Sequence, residues 1–298
     1  MSVNIPGAGR IRAILHQVST QKTELQKRVI QRWKNPSGDT RPVFLIGNVR
    51  SGTSMVVFQL AKSWQIKLYN EDNPAAFDYW RMREFSVIDD LLQKSTAPIT
   101  LFKPILDTYR VWEILDHFPN AKAIFTFRHY TDVINSTHKR FYRPDGLYVP
   151  SKRLPPRDTR DPITRWVAED FKEFAVARPP EALLDFIKSR WNPELSLNSN
   201  IALRWYFINR LYFDLGMYKD ERIKLVKYEK IVANPEKEFN HLCEFLGIAY
   251  EPSMIEGVFS SSIGKDATPE LDPVVQADCD ELFDRLSQEV ENPKGFTQ

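Results

Sequence analysis

Apolar residues in this chain recur in two rhythms. An unbroken apolar run at Pro42-Val43-Phe44-Leu45-Ile46 predicts a strand buried on both faces, and Lys122-Ala123-Ile124-Phe125-Thr126-Phe127 and residues 223–227 read as further strands. Helical spacing follows the first two, over Met55 to Trp64 and Asp132 to Phe141, each after a short polar turn. This strand, loop, helix alternation predicts one α/β domain with a central parallel β-sheet flanked by helices, a three-layer sandwich of P-loop-like plan.

At the N-terminus, Ile11, Leu15, Val18, Leu25, Val29 and Trp33 fall on one helical stripe that ends at the turn Asn35-Pro36-Ser37-Gly38. This amphipathic helix is expected to pack on its own domain, with a dimer contact or an anionic-surface contact as the alternatives. The division predicted is therefore 1–41 for helix and turn and 42–298 for the main domain. Within the latter, 144–200 forms a Pro-rich insert, since eight of the twenty prolines fall between Pro144 and Pro193. It is expected to be a lid or acceptor-side wall, or else a passive surface excursion.

Composition narrows the classes. With 298 residues, 41 Lys+Arg against 39 Asp+Glu and 42% hydrophobic residues, the chain has the profile of a soluble globular protein. The formal charge of +2 argues against a nucleic-acid partner, although residues 1–41 carry eight basic residues against Glu24 and Asp39. Two cysteines, Cys243 and Cys279, are too few for a disulfide framework or a zinc site. No apolar stretch is long enough to span a bilayer and no secretory signal is present, so a cytoplasmic, unanchored protein is expected.

The most informative loop is Gly47-Asn48-Val49-Arg50-Ser51-Gly52-Thr53-Ser54. It keeps the Gly-x4-Gly spacing of a Walker A loop but has Thr53 where that motif places its lysine. Backbone N–H groups of the turn and of the following helix, with the hydroxyls of Thr53 and Ser54, still converge on one point, and Arg50 supplies a cation. Without the lysine or a clear Walker B acid, magnesium-dependent triphosphate chemistry loses two supports. Arg128 ends the second strand, and Ser136 lies eight residues on in the next helix. Parallel strands open both loops on one sheet edge, which suggests a ligand with two separated phosphates.

These residues resemble the sulfotransferases that use 3'-phosphoadenosine 5'-phosphosulfate (PAPS). Arg50-Ser51-Gly52-Thr53-Ser54 looks like their 5'-phosphosulfate loop, and Arg128 with Ser136 like their 3'-phosphate motif. Leu225 to Pro235 and Cys243-Glu244-Phe245-Leu246-Gly247 are similar to the late strand and helix, and Ser261-Ser262-Ile263-Gly264-Lys265 to the C-terminal loop. The resemblance implies sulfuryl transfer from PAPS, leaving adenosine 3',5'-bisphosphate (PAP), with no metal required. Arg50 would contact the bridging and sulfuryl oxygens, and Ser51, Gly52, Thr53 and Ser54 the 5'-phosphate. Arg128, Ser136, Ser262, Gly264 and Lys265 would surround the 3'-phosphate. Tyr228 would lie near the adenine; for Trp205, set among Leu203, Tyr206 and Phe207, a place in the core is favoured over a second base contact.

One departure matters. Cytosolic members place a His shortly after a Lys-Thr pair; the similar stretch here is Leu101-Phe102-Lys103-Pro104-Ile105-Leu106-Asp107, without His. A carboxylate is the substitute, with Glu71 ranked first, then Asp72 and Asp107, and Lys103 as a stabilising cation or a surface lysine. His129 reads as a nucleotide neighbour rather than a base. The acceptor is expected to be a small molecule, a hydroxyl or amine carrier of cationic or polyhydroxylated character, because residues 71–84 are rich in acids and aromatics. A nucleotide kinase and a non-catalytic nucleotide-binding module are the rival readings, and a homodimer stays open.

Overall fold

The computed structural model describes residues 25–142, 180–192, 194–259 and 263–292. Residues 25–34 form helix α1, and β1 (Arg41–Gly47) and α2 (Thr53–Leu60) follow. Next come β2 (Ile66–Tyr69), the two-residue strands β3 (Phe77–Asp78) and β4 (Arg81–Met82), α3 (Phe85–Gln93) and β5 (Ile99–Phe102). A 3-10 turn at Ile105–Arg110 leads into α4 (Val111–His117), β6 (Lys122–Phe127) and α5 (Tyr130–Phe141). The C-terminal part holds α6 (Glu181–Arg190), α7 (Leu197–Asp214), β7 (Ile223–Lys227), α8 (Tyr228–Ala233), α9 (Pro235–Leu246) and α10 (Pro273–Glu291).

The main sheet is fully parallel, in the order β2-β5-β1-β6-β7. Side-chain alternation along β1 makes the three layers. Phe44 and Ile46 join Phe125 and Phe127 of β6 in a core capped by α4, α5, α7 and α10, while Val43 and Leu45 join Ile124 and Val226 in a core with α2 and α9. Every strand therefore ends on one edge, where the loop after β1 and the turn after β6 lie side by side.

The strands predicted at 42–46, 122–127 and 223–227 are present. The helix expected to reach Trp64 stops at Leu60, because residues 61–65 turn to start β2. The unpredicted β5 lies inside the sheet, between the edge strand β2 and the central β1. In its described part the N-terminal helix meets its own domain with its polar side, not with the apolar stripe. Lys27 and Gln31 face inward, to the carbonyls of Ala61 and Trp64, and Leu25, Val29 and Trp33 face solvent. Of the Pro-rich insert, residues 144–179 lie outside the described residues, and with them most of the expected lid.

Candidate active site

The loop after β1 is fixed from both sides. Gly47 (φ 120°) lies so close to β6 that any Cβ would collide with the backbone of Thr126, and Thr108 Oγ1 accepts from its N–H at 2.9 Å. Gly52 (φ 81°) is closed off by the ring of Tyr228, which leaves no room for a Cβ. Between them Arg50 adopts φ 64°, a left-handed conformation that a long side chain rarely takes. Gly52 is also the N-cap of α2, where no side chain caps the first amides, and the buried Ser51 hydroxyl has no partner. Uncapped amides and an orphaned hydroxyl at a helix start fit an anion.

The turn after β6 brings the second cluster. Arg128 is buried, paired with Asp132 Oδ2 at 3.1 Å and stacked 4.6 Å over the Tyr228 ring. Trp205, fully buried as its neighbours suggest, donates from Nε1 to the Arg128 carbonyl at 2.8 Å and so fixes the turn. On α5, Ser136 Oγ accepts from Arg50 Nε at 2.9 Å. The Arg50 pKa is lowered by burial first and then by the neighbouring charges of Arg140 and Arg128, while Glu71 opposes them. Positive charge crowded in this way is relieved by a bound anion.

The C-terminal segment docks on the same helix. Gly264 N–H donates to Asp132 Oδ1 at 3.2 Å, Asn135 donates to the Ala267 carbonyl and Lys139 pairs with Asp266. Lys265 is exposed beside this contact, and Ser262 lies outside the described residues. Asp132 and Arg140 went unremarked in the sequence. Asp132 had a visible signal, its position four residues after Arg128 on a helix.

Lys103, at the end of β5, is buried with its ammonium between the two halves of the site. Nζ donates to Ser54 Oγ at 2.9 Å and to Glu71 Oε1 at 3.0 Å. It is not a surface lysine. Glu71 Oε2 is left buried without a partner. Asp107 requires a correction, because it is turned away into structural bonds. Its Oδ2 accepts from Met82 N–H at 2.8 Å and Oδ1 from Arg81, with only 1% of the side chain exposed. Burial raises its pKa, against the opposing bond from Met82 and the charges of Arg81 and Arg110. Asp107 ties the hairpin to the 3-10 turn.

Beside Glu71 opens a cavity of about 290 Å³ lined by Asp72, Asp78, Phe77, Tyr79 and Trp80. The β3–β4 hairpin turns on Tyr79 (φ 44°) and Trp80 (φ 63°), both left-handed, the pairing of a type I′ turn that normally takes Asn or Gly. His129 caps α5 through Nδ1 and donates its N–H to Glu229 at 2.8 Å, and burial lowers its pKa. Among the described residues no group of His, Cys, Asp and Glu is arranged to hold a metal, and no helix is long and apolar enough to cross a membrane.

The family model for the sulfotransferase domain matches residues 40–263. Searching curated proteins gives no match. Among solved structures, a sulfotransferase from Alicyclobacillus acidocaldarius aligns at 15% identity over 84% of this chain and 94% of its own, with a TM-score of 0.48. The sulfotransferase domain of the Synechococcus PCC 7002 olefin synthase aligns at 17% identity over 84% and 95%, with a TM-score of 0.46. A mouse sulfotransferase complexed with PAP aligns at 13% identity over 86% and 89%, with a TM-score of 0.43.

Proposed function

The chain belongs to the sulfotransferase domain family and is an enzyme that transfers sulfate; on that premise we propose that it moves the sulfuryl group of PAPS to a hydroxyl or amine of a small organic acceptor. The observation that carries this reading is Lys103, whose one ammonium joins Ser54 of the anion loop to Glu71. A base and an anion cradle so linked stand on opposite sides of one reacting centre.

PAPS, when bound, supplies the sulfuryl group and leaves as PAP. Arg50, Ser51, Gly52, Thr53 and Ser54 hold the phosphosulfate end through backbone amides, hydroxyls and the guanidinium. Arg128, Ser136, Gly264 and Lys265 hold the 3'-phosphate, and Tyr228, packed against Gly52 and Arg128, lies along the nucleoside. The orphaned Ser51 hydroxyl and the crowded Arg50, Arg128 and Arg140 charges support that fit.

Glu71 acts as general base through Oε2, the oxygen that Lys103 leaves free. Lys103 and Arg50 aim positive charge at the oxygens where negative charge grows during transfer. Carboxylates and aromatic rings around the adjoining cavity favour a cationic or polyhydroxylated acceptor. The two cysteines, both free and buried, fit a cytoplasmic setting.

Calorimetry with PAP and with ATP, both without magnesium, tests the donor assignment: PAP binds tightly and ATP weakly. Incubation with radiolabelled PAPS and a metabolite extract then yields labelled acceptor. Failure to bind PAP, or a donor left intact by the extract, overturns the reading.

A further inference from the structure

Helix α1 presents its apolar side to solvent. Leu25 and Val29 are each 64% exposed and Trp33 is 77% exposed, on one stripe at i, i+4 and i+8, with Ile30 (37%) beside it. The opposite side is anchored by polar bonds. Lys27 reaches the Ala61 carbonyl, and Gln31 donates to the Trp64 carbonyl at 2.8 Å and accepts from Thr96 Oγ1 at 3.0 Å. These bonds fix the orientation of the helix, so the stripe is held outward.

The charge around the stripe selects its occupant. Residues 25–34 contain Lys27, Arg28, Arg32 and Lys34 and no acid, and Arg28 and Arg32 are exposed directly alongside Leu25, Val29 and Trp33. We propose that α1 docks this protein on an anionic lipid surface, with Leu25, Val29 and Trp33 entering the headgroup boundary and Arg28 and Arg32 meeting the lipid charge. A second copy fits less well. It would bring an equally basic helix against this one, and a patch of on the order of a few hundred Å² is short of the roughly 800 Å² per partner of a stable interface.

The placement is compatible with turnover on the surface. The helix leads into the start of β1, and Asn35 and Gln31 bond to Thr96 just before β5, so α1 lies at the edge opposite the donor loop. Docking there leaves the anion loop and the acceptor cavity facing water. The inference is independent of donor and acceptor identity.

Sedimentation with vesicles tests it, using the full chain with phosphatidylcholine vesicles with and without about one third phosphatidylserine. The protein is expected to bind the anionic vesicles only and to dissociate as salt rises. Arg28→Gln with Arg32→Gln should weaken partitioning on the order of tenfold or more. The triple variant Leu25→Ser, Val29→Ser, Trp33→Ser should abolish it while PAP binding and thermal midpoint stay unchanged. Absence of binding to anionic vesicles, or equal binding to neutral ones, overturns the proposal. So does a dimer in analytical ultracentrifugation that the triple variant dissolves, or protection of this helix face in the lipid-free monomer by another part of the chain.

Discussion

Arg50, in the loop after β1, donates from Nε to Ser136 Oγ, on the helix after β6, at 2.9 Å. Two motifs 86 residues apart thus share a hydrogen bond across the carboxyl edge of the sheet. Removing either partner separates their roles. Arg50→Ala should lower turnover on the order of a hundredfold or more, since the charge it places is needed most in the transition state. Ser136→Ala should weaken PAP about tenfold and leave adenosine 5'-phosphosulfate, which has no 3'-phosphate, unaffected. Calorimetry with both ligands checks the split, and equal losses for the two would contradict it.

Glu71 and Asp107 make a second contrast. Glu71→Gln keeps an acceptor for Lys103 but removes the proposed base, so kcat should fall by about a hundredfold to ten-thousandfold with PAP affinity unchanged. Asp107→Asn should act on the fold instead. It weakens the ties to Arg81 and Met82 and should lower stability by about 1–3 kcal/mol, while the folded fraction keeps its kcat. Thermal melts alongside steady-state kinetics distinguish the two patterns.

Gly52 and Tyr228 are coupled by contact. Gly52→Ala puts a methyl group into the Tyr228 ring at a left-handed residue, so it should destabilise the protein by at least about 1–2 kcal/mol and depress PAP binding. Tyr228→Ala opens the space, so the double variant should melt higher than additivity of the two single changes predicts. Strict additivity would mean that the ring does not pack on the glycine in solution.

What could be read before the structure follows from how locally each feature is determined. The strand at Pro42–Ile46 announces itself because burial on both faces needs unbroken apolar residues, and the anion loop because its glycines are required where they stand. Ile99–Phe102 is only four residues long and its buried Thr100 breaks the apolar run, so its place between β2 and β1 was hidden. The β3–β4 turn was hidden because Tyr79 and Trp80 occupy positions where glycine or asparagine would have given the signal. On α1 the pattern identified the apolar stripe, but amphipathicity does not say which face is covered. Lys103 could be nominated from a motif; only the register of β5 beside β2 brings it to Glu71.

His129 gives a pH dependence with a definite sign. Burial lowers its pKa from 6.5, so the unfolded chain takes up a proton there before the folded one does. The stabilising contribution of the neutral ring is therefore full above about pH 6.5 and is lost as pH falls below that value toward the depressed folded pKa. Protonation also removes the Nδ1 lone pair that caps α5. The thermal midpoint should drop on acidification through this window. In His129→Asn, which retains a capping oxygen without a titrating ring, the drop should be shallower. An identical slope in both proteins would assign the acid sensitivity elsewhere.

The proposed acceptor cavity joins Asp78, whose carboxylate makes no hydrogen bond or ion pair among the described residues, to Trp80, which its hairpin holds in a left-handed conformation. A left-handed bulky residue carries strain of roughly 1–2 kcal/mol, so replacing Trp80 by glycine should raise the thermal midpoint. The same change removes an aromatic wall beside Glu71, so activity should move in the opposite direction. For an ammonium-bearing alcohol, Trp80→Gly should raise the acceptor KM about threefold to thirtyfold, the value of one aromatic face toward a partly desolvated cation. Asp78→Asn should also raise it, and more at low salt than at high. Neither change should alter the KM for PAPS, whose proposed site lies on the far side of Lys103. A neutral alcohol should respond to Trp80→Gly and ignore Asp78→Asn. If the charged and neutral acceptors respond alike to Asp78→Asn, the carboxylate shapes the cavity without reading charge.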